Sequence, residues 1–473
     1  MANPVAGGAH HGEGGTLDVA KFLGGLPFGR FHIQLLVICS LVTFFDGLDF
    51  SLISFTLPYL IDEMGLSNAM TGYVSSAAFA GQMLGSLVGS YLADIYGRRA
   101  VIIWCTIISA VLTFVTGFAN TPEMLIALRL VGGLAIGGLL APAWSINIES
   151  MPAGKKARAV TIIMLGFSTG GAMAGQVTNW LAPTYGWEGV FFFCGAATGL
   201  LAIVLFFTMP ESARWMTAKG KPAAEVVQAL RRFDPSLEAD RYTRVVLSDE
   251  RDLSGKVSPW AKLAELFRGT LAFITPLIWF TYFFSSFAIY LKASFGVLFM
   301  EELGIERMTA ANLASISGLL GAIGGVALLW FTEKRGPAWI AIAPFLGIPL
   351  ALWIGSGILL DGPLFVPVIL IGGIMIGTGH AAVISITSIY YPSAVRSTGG
   401  GWASFTAKSA AVAAPVVGGW YFLGSDERVL DGYLFTALCL AGVVLGLLVL
   451  SVFAKRLLTE RASEAQAAAK ALA

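Results

Sequence analysis

Twelve apolar runs, each with the ~20 mostly apolar residues that a helix needs to cross a bilayer, dominate this sequence. They are 31–60, 70–93, 99–119, 122–150, 158–182, 187–208, 270–301, 310–332, 337–359, 364–391, 397–424 and 430–456. A chain with so many cannot bury them all in a water-soluble core. Composition agrees: 12% of the 473 residues are charged and 56% are apolar, against ~25% charged in a typical soluble domain. The expected fold is an all-α polytopic membrane protein with twelve transmembrane helices in two six-helix bundles. The expected parts are an N-terminal tail (1–30), a first bundle (31–208), a central loop (209–269), a second bundle (270–456) and a C-terminal tail (457–473).

Several functions are excluded early. The net charge is +1 and no basic block lies beside aromatic residues, so a nucleic-acid partner has no electrostatic footprint. The one long polar stretch, Pro210 to about Arg268, is too short for most catalytic domains, and an enzyme is not expected. Cys39, Cys105, Cys194 and Cys439 sit in four different apolar runs, which fits neither a disulfide framework nor a metal knuckle. His10 and His11, beside Glu13 and flanked by glycines, read as part of a polar tail spanning Met1 to Gly29. No metal or cofactor is expected.

Lysine and arginine placement orients the chain. With the N-terminus inside, the outer loops hold only Arg307 and Arg428. Arg129, Lys292 and Lys408 lie within spans, and the other 25 basic residues fall inside. Both termini are thus expected in the cytoplasm. The outer loops carry acids instead, among them Asp62, Glu63, Glu301 and Glu302.

The halves echo each other. Asp94 to Gly97 joins the second and third runs, Glu333 to Gly336 joins the eighth and ninth, and Gly85 and Gly324 each lie nine residues before the acid. Such symmetry suits a transporter built from two related halves around a midplane site. Glycines recur every four residues at Gly81, Gly85 and Gly89, at Gly133 and Gly137, at Gly171 and Gly175, and at Gly321 and Gly325. These are faces for close helix packing in lipid.

Ionisable residues inside a span are costly, which makes each a functional candidate. Asp46 and Asp49 are three residues apart, so both carboxylates are expected on one helix face, poised to carry protons. Arg129, at a comparable depth, is their expected counter-charge. Lys408 is expected near the midplane, where an ammonium needs an anionic partner: a substrate carboxylate, or Asp46 or Asp49 across the bundle. His380 can carry a proton or hydrogen-bond a ligand. Lys292 is expected to snorkel outward or to pair with Glu301 or Glu302. Tyr290, Phe405 and Trp402 offer stacking surfaces, and Gln176 a polar contact for a ring hydroxyl.

Ser90-Tyr-Leu-Ala-Asp94-Ile95-Tyr-Gly97-Arg98-Arg99 is similar to the GxLaDrxGRR signature of the major facilitator superfamily, with Ser90 and Ile95 as departures. Asp46-Gly47-Leu48-Asp49 resembles the DGxD signature of the aromatic acid:proton symporter family. Arg129 with its neighbouring glycines, Pro210-Glu211-Ser212-Ala-Arg214-Trp215, and Pro392 to Arg396 fit the same pattern. Related organic-anion carriers have an arginine seven residues before a proline, where Lys408 precedes Pro415. Lys292-Ala-Ser294-Phe295-Gly296 stands where a Trp-Leu-Pro-like turn is expected.

The resemblance implies a monomeric, multi-pass inner-membrane symporter. It would import a hydroxybenzoate-like aromatic carboxylate with protons by alternating access, using the proton gradient and no cofactor. A non-aromatic organic anion, such as a dicarboxylate or sugar acid, is the alternative substrate. Asp46, Asp49 and Arg129 would couple protons. Lys408, His380, Tyr290, Phe405, Gln176 and Trp402 would bind substrate. Asp94, Arg98, Arg99, Glu149 and Arg158, at the inner ends of the second to fifth runs, would form a charge network that locks an inner gate.

Overall fold

The computed structural model describes residues 15–152, 154–238, 242–248, 263–335, 337–360, 362–391 and 396–472. The first four spans are Arg30–Met64, Asn68–Tyr96, Arg98–Thr116, and Pro122–Gly137 continued by Leu140–Ser150. The fifth and sixth lie in one helical stretch, Lys156–Thr208, divided at Gly186, whose φ of 70° and ψ of 178° only glycine adopts readily. The seventh and eighth are Leu271–Glu302 and Arg307–Arg335. A 3-10 turn, Pro337–Ala341, leads into the ninth, Ile342–Gly355. Phe365–Val383 with Ile386–Tyr390, then Arg396–Tyr421 and Asp426–Leu472, complete the set. The face carrying the central loop and both tails is called the inner face, the opposite one the outer face.

Among the described residues, nine helices are long and apolar enough to cross a membrane. The Lys156–Thr208 stretch contributes two crossings, and the second and eleventh spans fall outside the nine. Both are rich in small residues, and both lie where the halves meet. A side chain on Gly72 of the second span would come within 2.6 Å of the Pro415 carbonyl oxygen in the eleventh. Close approach to another helix dilutes their hydropathy.

Packing repeats between the halves. The first span lies on the fifth, the second on the fourth and the third on the sixth; the seventh lies on the eleventh, the eighth on the tenth and the ninth on the twelfth. The glycine stripes serve this packing: a Cβ on Gly81 or Gly85 would stand 2.1 Å from the Leu130 or Leu134 carbonyl oxygen of the fourth span. In lipid, where no hydrophobic effect draws helices together, such close backbone contact supplies the attraction. In the matching acid-glycine turn of the second half, Glu333 to Arg335 end the eighth span, while Gly336 lies outside the described residues, as do His10, His11 and Glu13.

From residue 15 onward the N-terminal segment is built into a small lobe on the inner face. Strands Thr16–Asp18 and Arg244–Val246 pair in parallel with Leu17 opposite Val245. Leu17, Val19 and Leu23 bury themselves against Val226, Val227 and Leu230 of the central loop. The spacing of those three apolar residues was a readable signal inside a stretch read as polar. Phe233 of the loop meets the ring of Phe31 edge-on at 4.5 Å, tying the lobe to the first span.

Candidate functional site

Asp46 and Asp49 part company. Residues three apart on a helix differ by about 60° around its axis, enough to send the two carboxylates to different neighbours. Asp49, 3% exposed, turns into the first bundle. Its Oδ1 accepts a hydrogen bond from Thr113 Oγ1 at 2.6 Å and lies 3.7 Å from Arg129 Nη1. Arg129 donates from Nη2 to Thr116 Oγ1 at 3.2 Å and sits over the Phe191 ring at 5.1 Å. Thr113 and Thr116 complete a polar strip with Thr106 and Ser109 at helical spacing, a signal the sequence offered. Asp46 is as deeply buried, yet neither of its carboxylate oxygens has a hydrogen-bond partner among the described residues. An unsatisfied buried carboxylate is costly, and Asp46 is the member of the pair that carries this cost.

Across the interface stands Lys408, half-buried, which donates to the Gln82 carbonyl oxygen at 3.4 Å. Its ammonium and the Asp46 carboxylate attract each other. Tyr290 of the second half lies near Asp46 and joins an aromatic cluster from the first half, meeting Phe79 at 5.1 Å and Phe50 at 6.0 Å, while Phe50 also touches Phe167 at 5.4 Å. Phe50 shares a helix face with Asp46 at i,i+4, so it could have been found in the sequence. Phe79 and Phe167 could not, since only folding brings their spans together. His380 faces Tyr290 at 6.3 Å, and its Nδ1 lies 3.1 Å from Ser285 Oγ.

Other candidates lie elsewhere. Trp402 stacks on Trp279 at 5.9 Å, about 9 Å along its helix from Lys408 on the inner side. Phe405 meets Trp402 edge-on at 5.8 Å. Gln176 donates to Asn312 Oδ1 at 2.9 Å, as part of a seal between the halves. Among the described residues Lys292 pairs with no acid, and it does not snorkel: it donates to the Gly373 carbonyl oxygen at 3.1 Å. Glu301 is held by Arg307, and Glu302 accepts from the Gly424 N–H at 3.4 Å. Lys292 lies two residues from Tyr290, a turn of about 200°, and therefore points into the second bundle.

That seal closes the outer side. Arg307 Nη2 lies 2.9 Å from Asp62 Oδ2, and its guanidinium covers the Tyr59 ring at 4.6 Å. Asn179 donates to the Met308 carbonyl at 3.1 Å, Asn68 to the Leu423 carbonyl at 3.0 Å, and Ser76 to the Val412 carbonyl at 2.8 Å.

On the inner face, Arg98 bridges Asp94 and Glu149, each at 3.3 Å. Arg99 donates to the Phe206 and Met209 carbonyls at 2.7 and 2.8 Å. Arg158 is exposed and joins none of these bonds. Two members were missed in this role. Ser212 Oγ hydrogen-bonds Glu149, and Glu211 Oε1 accepts the N–H groups of Arg98 and Arg99 at 3.0 and 3.3 Å, capping the third span. A Cβ at Gly97, where φ is 101°, would fall 2.2 Å from Glu211 Oε2. Burial raises the Glu211 carboxyl above its usual range, and the N–H donors oppose that shift. Glu211→Ala leaves the two N–H groups without their acceptor. It is expected to cost about 1–2 kcal/mol, read as a lower unfolding temperature in detergent, with Glu211→Gln recovering part of the loss.

Comparison with known proteins follows the same lines. A family model described as the Major Facilitator Superfamily matches residues 39–415. The gallate transporter of Pseudomonas putida is 28% identical over 404 residues, 85% of this chain and 88% of that protein. The 4-hydroxybenzoate transporter PcaK of Pseudomonas aeruginosa is 28% identical over 435 residues, 91% of this chain and 95% of its own. Among solved structures, a bacterial homolog of the human lysosomal transporter Spinster, inward-facing and unoccupied, superposes with a TM-score of 0.67. It is 17% identical, covering 90% of this chain and 97% of that one.

Proposed function

The chain belongs to the Major Facilitator Superfamily, and from that premise we propose that it imports an aromatic monocarboxylate, of the hydroxybenzoate type, together with protons across the inner membrane by alternating access. One observation carries the reading: an unsatisfied acid, Asp46, and a cation, Lys408, attract each other from opposite halves, and Tyr290 near Asp46 packs on Phe50 and Phe79. The named substrates of the two relatives, gallate and 4-hydroxybenzoate, point to the same chemistry.

The coupling follows from competition for one cation. A substrate carboxylate on Lys408 takes the countercharge away from Asp46, and a carboxylate stranded in low dielectric binds a proton. Substrate and proton together leave the site electrically quiet. A quiet site lets the halves rock and the outer seal at Arg307 exchange with a closed inner side. The flanking rings receive the aromatic ring, and His380, whose Nδ1 contacts Ser285, hydrogen-bonds a ring hydroxyl. Both termini face the cytoplasm, and Arg98 with its acids steadies the inner gate.

The test is uptake into proteoliposomes under an inward proton gradient, with a panel of labelled carboxylates. Aromatic monocarboxylates are expected to accumulate, and a protonophore to abolish the gradient. Accumulation of aliphatic acids alone overturns the aromatic reading. Lys408→Ala is expected to weaken aromatic acid binding by at least about 100-fold, the scale of losing one partner of a buried charge pair. Calorimetric titration reads it directly.

A further inference from the structure

Lys292 is the charged group in the lining of a cavity of about 50 Å³ bordered by the seventh, eighth, ninth, tenth and twelfth spans, on the far side of the seventh span from the central site. No acidic residue lines it, and among the described residues the ammonium makes no ion pair. It spends one N–H on the Gly373 carbonyl, leaving two of its three donors. Gly373 makes the room: a Cβ there would come within 3.1 Å of Lys292 Cε and of Ser317. Tyr433 also lines the cavity, and its hydroxyl has no hydrogen-bond partner among the described residues. A cation with spare donors, an unused hydroxyl and an unfilled hollow, with no countercharge among the described residues, form a site for an anion. Size selects which. A cavity of roughly 150 Å³ is what admits benzene, whereas one water needs roughly 10–15 Å³. A space of about 50 Å³ therefore excludes an aromatic acid and accepts a single small ion.

We propose that this intrabundle cavity is a binding site for a halide-sized inorganic monoanion such as chloride, held by Lys292 and Tyr433 and separate from the transport site. The anion supplies the charge that Lys292 lacks and pins the seventh span to the eighth and tenth. The proposal is independent of the substrate assignment, and its test contains no aromatic acid.

The experiment titrates sodium chloride against sodium gluconate at constant ionic strength, on purified full-length protein in detergent, and reads the unfolding temperature. Chloride and bromide are expected to raise it in a saturable way. Lys292→Met is expected to abolish that dependence. Tyr433→Phe is expected to raise the half-saturating chloride concentration by about tenfold, the scale of one hydrogen bond to a charged group. Crystals grown in bromide are expected to show an anomalous peak within hydrogen-bonding distance of Lys292 Nζ, a readout that stands even where Lys292→Met does not fold. Equal stability in chloride and gluconate, a chloride effect that survives Lys292→Met, or bromide crystals without that peak overturns the site and leaves only water in the cavity.

Discussion

Asp46→Asn is expected to leave a folded protein that binds substrate and exchanges it across the membrane but no longer accumulates it on a proton gradient. Asparagine keeps the shape of the side chain, and no hydrogen bond is lost, because the Asp46 oxygens make none among the described residues. What disappears is the titratable oxygen to which the proposed coupling assigns the proton when a substrate carboxylate occupies Lys408. Proteoliposomes loaded with unlabelled substrate should still take up label by counterflow. In empty vesicles with an acidic exterior, internal substrate should rise no higher than external. Full gradient-driven accumulation by Asp46→Asn would remove Asp46 from the coupling step and return the role to Asp49.

The second large effect is structural. Arg129→Met leaves Asp49 buried with Thr113 as its one hydrogen-bond donor among the described residues. Breaking a buried ion pair from one side costs about 3–5 kcal/mol, a large part of the stability of most folds. The variant is expected to unfold at a markedly lower temperature and to be recovered in low yield. The double variant Asp49→Asn with Arg129→Met removes both charges and is expected to recover most of the loss. If it is no more stable than Arg129→Met, the pair is not what makes Arg129 important.

These two acids mark the border between what could be read in the chain and what could not. Both were legible as intramembrane carboxylates, since a charge inside an apolar run is visible in one dimension. Their separate roles were not, because a difference of about 60° around a helix acquires meaning only from what stands beside each face. Thr113, Thr116 and Arg129 stand beside one, and Lys408 with the aromatic ring stands beside the other. The same holds for Gln176 and Trp402. Each is a plausible ligand group by residue type, and the structure places each against a neighbour, Asn312 or Trp279, from a distant part of the chain. Lys292 was visible as a charge in a span. That it faces away from Tyr290 follows from helix periodicity, but the hollow beside it depends on Gly373 of another helix. Glu211 lay in a recognisable motif, and its task as a cap on a helix that begins at Arg98 required the fold.

By itself, the sequence determined that this protein lives in a bilayer, crosses it twelve times as two matched bundles, and holds few charges inside. Those properties are sums over local hydropathy and spacing, which each segment carries alone. Tertiary structure decided which of those few charges neutralise one another, which face an unfilled space, and on which side the halves are sealed. Pairing is a relation between residues far apart in the chain, and in low dielectric the partner, more than the residue, sets what a charge can do.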